Sequence, residues 1–199
     1  FTHNASIIKF DSTVGSVLTI NTNAVPTVEV SIYGGSYKLA GNMVMGAEHG
    51  LEVAGGTFDA DVYDVTLRHV WLSGTTTRTI LMGSGTWTVF GYAPGGNWVW
   101  NNSDPTNETL NAETADIVFT SVDTSVTKKI HGGGKTYNDV TIATATSSVW
   151  SIEGSNSFSR LIASGGAPLT VKFAAGSTTT LTGGTDSFFS GVVSNLITA

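Results

Sequence analysis

The stretch LEVAGGTFDADVYDVTL, residues 51–67, decides the fold. Leu51 and Val53 flank a polar residue, Gly55-Gly56 interrupts, and Phe58, Ala60 and Val62 resume the alternation before Asp64. Apolar residues at every second position line one face of a strand. A glycine pair between two such runs lets the backbone change direction without a Cβ in the way. The stretch therefore reads as short strands joined by tight corners, each presenting one apolar face to a shared core.

The same pattern extends outward in both directions. Short alternating segments begin at Ser6–Phe10, Ser16–Ile20 and Thr27–Ile32, pass through Asp64–Leu72, and end at Leu169–Phe173, Thr178–Leu181 and Ser187–Val193. No helical period is sustained, and Glu108–Ala115 is the single short helical candidate. Strand starts fall closer together than the 8–12 residues of a sandwich, with many connections of about two to five residues. This spacing predicts an all-β chain folded as a β-solenoid, a parallel β-helix whose coils turn corners around one core. At about 20–30 residues per coil and ~4.8 Å per coil, it predicts roughly seven to ten coils and a rod of some 35–50 Å. A β-sandwich or jelly roll is the competing architecture, because alternation alone does not separate them.

A fainter order lies above this one. At a constant offset, Ile7-Ile8 returns as Ile117-Val118, Ile20 as Ile130, Glu29–Ile32 as Asp139–Ile142, and Leu51 with Gly55-Gly56 as Leu161 with Gly165-Gly166. The chain thus reads as a single module, 1–199, with pseudo-repeats 5–90 and 115–199. Between them, 91–114 (GYAPGGNWVWNNSDPTNETLNAET) is polar and holds two of the four prolines. It is expected to be a lateral loop or projecting hairpin, the kind of excursion on which recognition commonly sits.

Composition narrows the function classes. Charged residues make up 12%, 24 residues are Gly, and 30 Thr with 21 Ser supply small hydroxyls. With 40% hydrophobic residues the chain can fill a core. Nine Lys and Arg against fifteen Asp and Glu, with no basic run longer than Lys128-Lys129, argue against phosphate neutralisation and so against nucleic acid. No apolar run reaches the ~20 residues of a membrane-spanning helix, and cysteine is absent. The start at Phe1, without Met, suggests a processed product or an excerpt.

Residues 51–67 and Ile130-His131-Gly132-Gly133-Gly134-Lys135-Thr136-Tyr137-Asn138-Asp139-Val140-Thr141-Ile142 resemble Thr/Gly-rich β-repeats of phage virion proteins (tail fibres, spikes and capsid decorations) and of bacterial surface adhesins. The resemblance implies a structural or adhesive module on a virion surface, or alternatively on a cell surface. It implies a homo-oligomer, a homotrimer first, docked to other virion structural proteins. It carries over no catalytic residue.

Candidate chemistry is sparse. Gly134-Lys135-Thr136 lacks the upstream glycine of a phosphate-binding loop and leads into a strand, so it reads as a turn. Asp59 and Asp61 share a face by i, i+2 spacing, and with Asp64 they form a weak Ca²⁺ candidate or the acid pair of a polysaccharide-degrading β-helix. A solvated strand face is the favoured reading of all three. His3, His49, His69 and His131 show no ligand spacing, and His69 reads as a surface or corner residue. The expected recognition group is Tyr92, Trp98 and Trp100 with Asn101 and Asn102, flat aromatic faces beside amides that suit stacking on a surface glycan or anchoring a partner. Trp98 and Trp100 are expected on one side of a strand, and packing beneath the loop is the alternative role for both. No cofactor is expected.

Overall fold

In the computed structural model, residues 6–10, 17–20, 28–93 and 95–183 are described. The first turns hold β1 (Ser6–Phe10) and β2 (Val17–Ile20), then β3 (Val28–Ile32), β4 (Ser36–Leu39) and β5 (Met43–Val44). Three-stranded turns follow: β6 (Leu51–Val53), β7 (Gly56–Asp59) and β8 (Val65–Leu67); β9 (Val70–Leu72), β10 (Arg78–Leu81) and β11 (Thr86–Val89); β12 (Trp98–Asn101), β13 (Glu108–Asn111) and β14 (Asp116–Phe119). The last turns use two strands: β15 (Thr127–His131) with β16 (Thr136–Ala143), β17 (Ser148–Glu153) with β18 (Asn156–Ser164), and β19 (Leu169–Phe173) with β20 (Thr179–Leu181). The expected strand Ser187–Val193 and His3 lie outside the described residues.

These strands stack into three sheets. Sheet A runs β1-β3-β6-β9-β12-β15-β17-β19, sheet B runs β2-β4-β7-β10-β13, and sheet C runs β5-β8-β11-β14-β16-β18-β20. Every described pairing is parallel. The chain is a β-solenoid of about seven turns, all-β with no helix among the described residues. Parallel pairing throughout removes the sandwich alternative, whose sheets are antiparallel.

The register and the strand bounds correct four expectations. In sheet A, Phe10 pairs with Ile32, Ile32 with Val53, and Val53 with Leu72, so the structural repeat is a single coil. Val70 pairs with Trp100 and Trp100 with Ile130, which makes the two central coils longer than those before them. Members of the echo between the two halves sit in different sheets: Leu51 in sheet A and Leu161 in sheet C. The segment 91–114 is no projecting insertion, because it contributes β12 to sheet A and β13 to sheet B in continuous ladders. Glu108–Asn111 is accordingly strand. Asp64–Leu72 is two strands with a corner at Arg68-His69.

Aromatic rings climb the interior from coil to coil. Phe58 contacts Trp87 at 5.9 Å between centroids, Trp87 contacts Trp100 at 5.8 Å, Trp100 contacts Tyr137 at 5.7 Å, and Tyr137 contacts Phe158 at 6.0 Å. Their polar atoms are satisfied inside: Trp87 Nε1 donates to Met82 O, Trp100 Nε1 to the Tyr137 hydroxyl, and that hydroxyl to Gly132 O. Around them Ile32, Val53, Leu67, Ile80 and Ile142 are fully buried. A void of about 10 Å³ beside Trp100 and Tyr137 is no larger than one water.

The long central coils make room for two stacked corners, 73–77 and 102–107. Arg78 opens β10 facing inward and is fully buried. Its Nε donates to Glu108 Oε2 at 2.9 Å, and Nη1 donates to Gly74 O at 2.8 Å. Nη2 reaches Asp104 O. The guanidinium thus supplies the donors that the carbonyls of both widened corners need. At the opposite corner, Asp61 at φ 54°, Gly83 at φ 75° and Glu113 at φ 50° follow β7, β10 and β13 in turn. A Cβ on Gly83 would lie 1.6 Å from Asp61 O, so only glycine fits between these two coils.

Candidate functional site

The outer face of sheet A presents one continuous ladder, fixed by register: Ser31, Glu52, Trp71, Asn101, His131 and Glu153. Beside it runs Trp98, Lys129, Ser151 and Lys172. Identical positions on successive parallel strands repeat every ~4.8 Å, so these side chains form a regular surface. Trp71 and Trp98 are half-buried, with an aromatic body held against the sheet. Lys129 Nζ lies 5.0 Å from the Trp98 ring centre, and His131 meets the ring edge-on at 6.3 Å. Lys129 also pairs with Glu153 at 3.5 Å. At the other end, Ser31 and Tyr33 donate to one oxygen of Glu52.

A bulge separates the residues expected to act together. The register of β12 shifts between Trp98 and Trp100, and Val99, Trp100 and Asn101 are all buried. The extra residue breaks the alternation, so Trp98 stays outside while Trp100 enters the core. Trp98 and Trp100 therefore do not share a face. Asn101 lies on the outer ladder but is covered, with its Oδ1 accepting from Ser103 N. Asn102 is fully buried at the corner, its Nδ2 donating to Glu108 Oε1 at 2.7 Å.

Tyr92 serves elsewhere, as a strut between coils. Its hydroxyl donates to Asp123 Oδ2 at 2.7 Å, and its carbonyl accepts from Arg68 Nε. Arg68 also pairs with Glu48 and lies 5.8 Å from the Tyr92 ring centre. The Ser125 hydroxyl, then that of Tyr92, hold the Asp123 carboxyl at about 2. Of the expected recognition group, Trp98 alone offers an aromatic surface on the accessible outer face of sheet A. Trp71, Lys129 and His131 complete that face. Sequence reading passed over them because Trp71 comes from β9 and Lys129 and His131 from β15, and only the register brings these strands to either side of β12.

The carboxylates do not assemble a metal site. Asp59 and Asp61 do converge, on Lys38 Nζ at 3.6 and 3.2 Å. Asp59 Oδ1 accepts from Asp61 N, which bends the chain into a turn instead of continuing the strand. Asp64 is engaged by Thr86 N of the next coil. No group of three or more potential ligands forms among the described residues. His69 is a corner residue as expected, but a buried one: its ring fills the space over Gly50, and burial, Arg68 and His49 depress its pKa to about 4.

No family model, no curated protein and no solved structure matches this chain.

Proposed function

We propose that the chain is a structural and adhesive module of a phage particle surface, a segment of a fibre, spike or capsid decoration. The observation that carries the reading is the contrast between a filled interior and a patterned exterior. Core side chains close the inside of the solenoid, so any ligand is met on the outside. There the Trp71–Trp98–Lys129–His131 face offers aromatic surface, a cation and an imidazole on a stiff support. Such a face suits a surface glycan: apolar sugar faces stack on the indoles, and hydroxyls bond the polar neighbours. The Thr/Gly-rich pattern that resembles virion repeats supports the placement, and a homotrimer docked to other virion proteins follows from that resemblance.

The test is location. Antibodies raised against this module are applied to purified phage particles and to the producing cells. Label on the particles supports the proposal. Label confined to the cell wall replaces it with the second reading, a bacterial adhesin segment, which the same outer face favours. An enzymatic reading would rest on Asp59 and Asp61, whose carboxylates face Lys38. Oligosaccharide release from host capsule that stops in Asp61→Asn would establish that reading in place of this one.

A further inference from the structure

At the widened corner, an amine and a carboxamide from adjacent coils share one buried carboxylate oxygen. Glu108 Oε1 accepts from Asn102 Nδ2 at 2.7 Å and lies 3.7 Å from Lys135 Nζ. Lys135 is held there by a second bond, from its Nζ to Glu108 O at 2.8 Å. The Glu108 side chain is fully shielded from solvent, and that of Lys135 is 22% exposed. Asn102 is fully buried, and its Oδ1 has no hydrogen-bond partner. Its amide lies in the crook of the turn that carries Lys135, close enough that a Cβ on Gly133 would stand 2.6 Å from Asn102 Cγ. A carboxylate is an acceptor only, so Asn102 must present its nitrogen to Glu108.

We propose that Lys135 and Asn102 join in an intramolecular amide bond that staples two adjacent coils. Glu108 takes one proton from the Lys135 ammonium and hands it to the Asn102 amide nitrogen. The freed amine attacks Cγ, forming the new C–N bond. The second proton lost by the amine follows the same route, the original C–N bond breaks, and the departing nitrogen, now carrying both protons, leaves as ammonium. No oxidant or cofactor enters the balance. Arg78, bonded to the other carboxylate oxygen at 2.9 Å, fixes Glu108 between the two reacting groups. The four-carbon Lys135 stem allows Nζ to swing from the carboxylate to Cγ. This inference rests on the corner alone and is independent of where the module resides.

Intact-mass spectrometry of the folded chain, residues 1–199, tests it. The expected mass is below the sequence mass by one ammonia, about 17 Da. Trypsin does not cut at an acylated lysine, so the digest should contain a branched species joining residues 79–128 to 130–160. Lys135→Arg keeps a cation beside Glu108 but cannot form the bond, and should show its full sequence mass while retaining the β circular-dichroism spectrum. A folded wild-type chain at full sequence mass overturns the proposal. So does an ammonia loss that persists in Lys135→Arg, with fragments placing it as a cyclic imide at an asparagine.

Discussion

Acidification should destabilise this solenoid through His69, by an amount that can be worked out. The His69 ring is 7% exposed at the corner between β8 and β9, and its Nδ1 has no hydrogen-bond partner. Burial disfavours the imidazolium, and the Arg68 charge adds to it, so the folded-state pKa falls from 6.5 to about 4. The unfolded chain takes up the proton near pH 6.5, whereas the folded chain resists it until about 4. Stability from the neutral ring is therefore fully present above 6.5 and is lost as pH falls toward 4. Linkage gives a loss of about 1.4 kcal/mol at pH 5.5 and about 2.5 kcal/mol at pH 4.5. Urea unfolding, followed by tryptophan fluorescence from pH 7.5 to 4.5, should be compared between wild type and His69→Gln. The gap between the two should move by that amount in favour of the variant as pH drops. A gap that stays constant, or one that widens in favour of wild type, would refute the reasoning.

Truncating the two neighbouring indoles should separate core from surface. Trp100→Ala should cost about 3–5 kcal/mol in urea unfolding, whereas Trp98→Ala should cost about 1 kcal/mol or less and instead weaken retention on host glycan. Arg78→Met should cost about 3–5 kcal/mol, since it leaves Glu108 buried without its guanidinium partner. Thermal melts read that loss directly. Gly83→Ala should lower the melting temperature well beyond the effect of Gly95→Ala, because Gly95 has no atom within 4 Å of the added methyl while Gly83 meets the Asp61 carbonyl. Both glycines have positive φ, so the comparison isolates the collision.

The fold was legible because its rule is local. Gly55-Gly56 between alternating runs, and the short spacing of strands, depend on neighbours in sequence, and both carry over into the coils that the register defines. The echo between the two halves misled for an instructive reason. An even offset keeps alternation in phase, so Val30 and Val140, Ile32 and Ile142, and Leu51 and Leu161 are all buried while lying in different sheets. The echo reports which side of a strand a residue faces and is blind to which strand it is. Residues 91–114 looked like an insertion because the widened corner 102–107 needs polar carbonyl-bearing chain. The donor that makes such a corner tolerable, Arg78, sits far upstream at the head of β10. The outer face failed for a different reason: one bulge at β12 inverts the side on which Trp100 lies, and a bulge leaves no mark on alternation until the partner strand is known.

Parallel pairing has a mechanical corollary. The hydrogen bonds between coils point along the stacking direction, whereas the covalent backbone circles across it. The chain is therefore anisotropic: sideways load is shared by whole strands, but tension between its two ends falls on the outermost coil first. Pulling should peel the stack one turn at a time, each event releasing the length of a single coil. The largest step comes from the long turn between Val70 and Trp100, since the proposed Asn102–Lys135 bond would keep the long turn after it closed under load. Such an object resists bending at its station and yields length gradually under a pull, as a tether does.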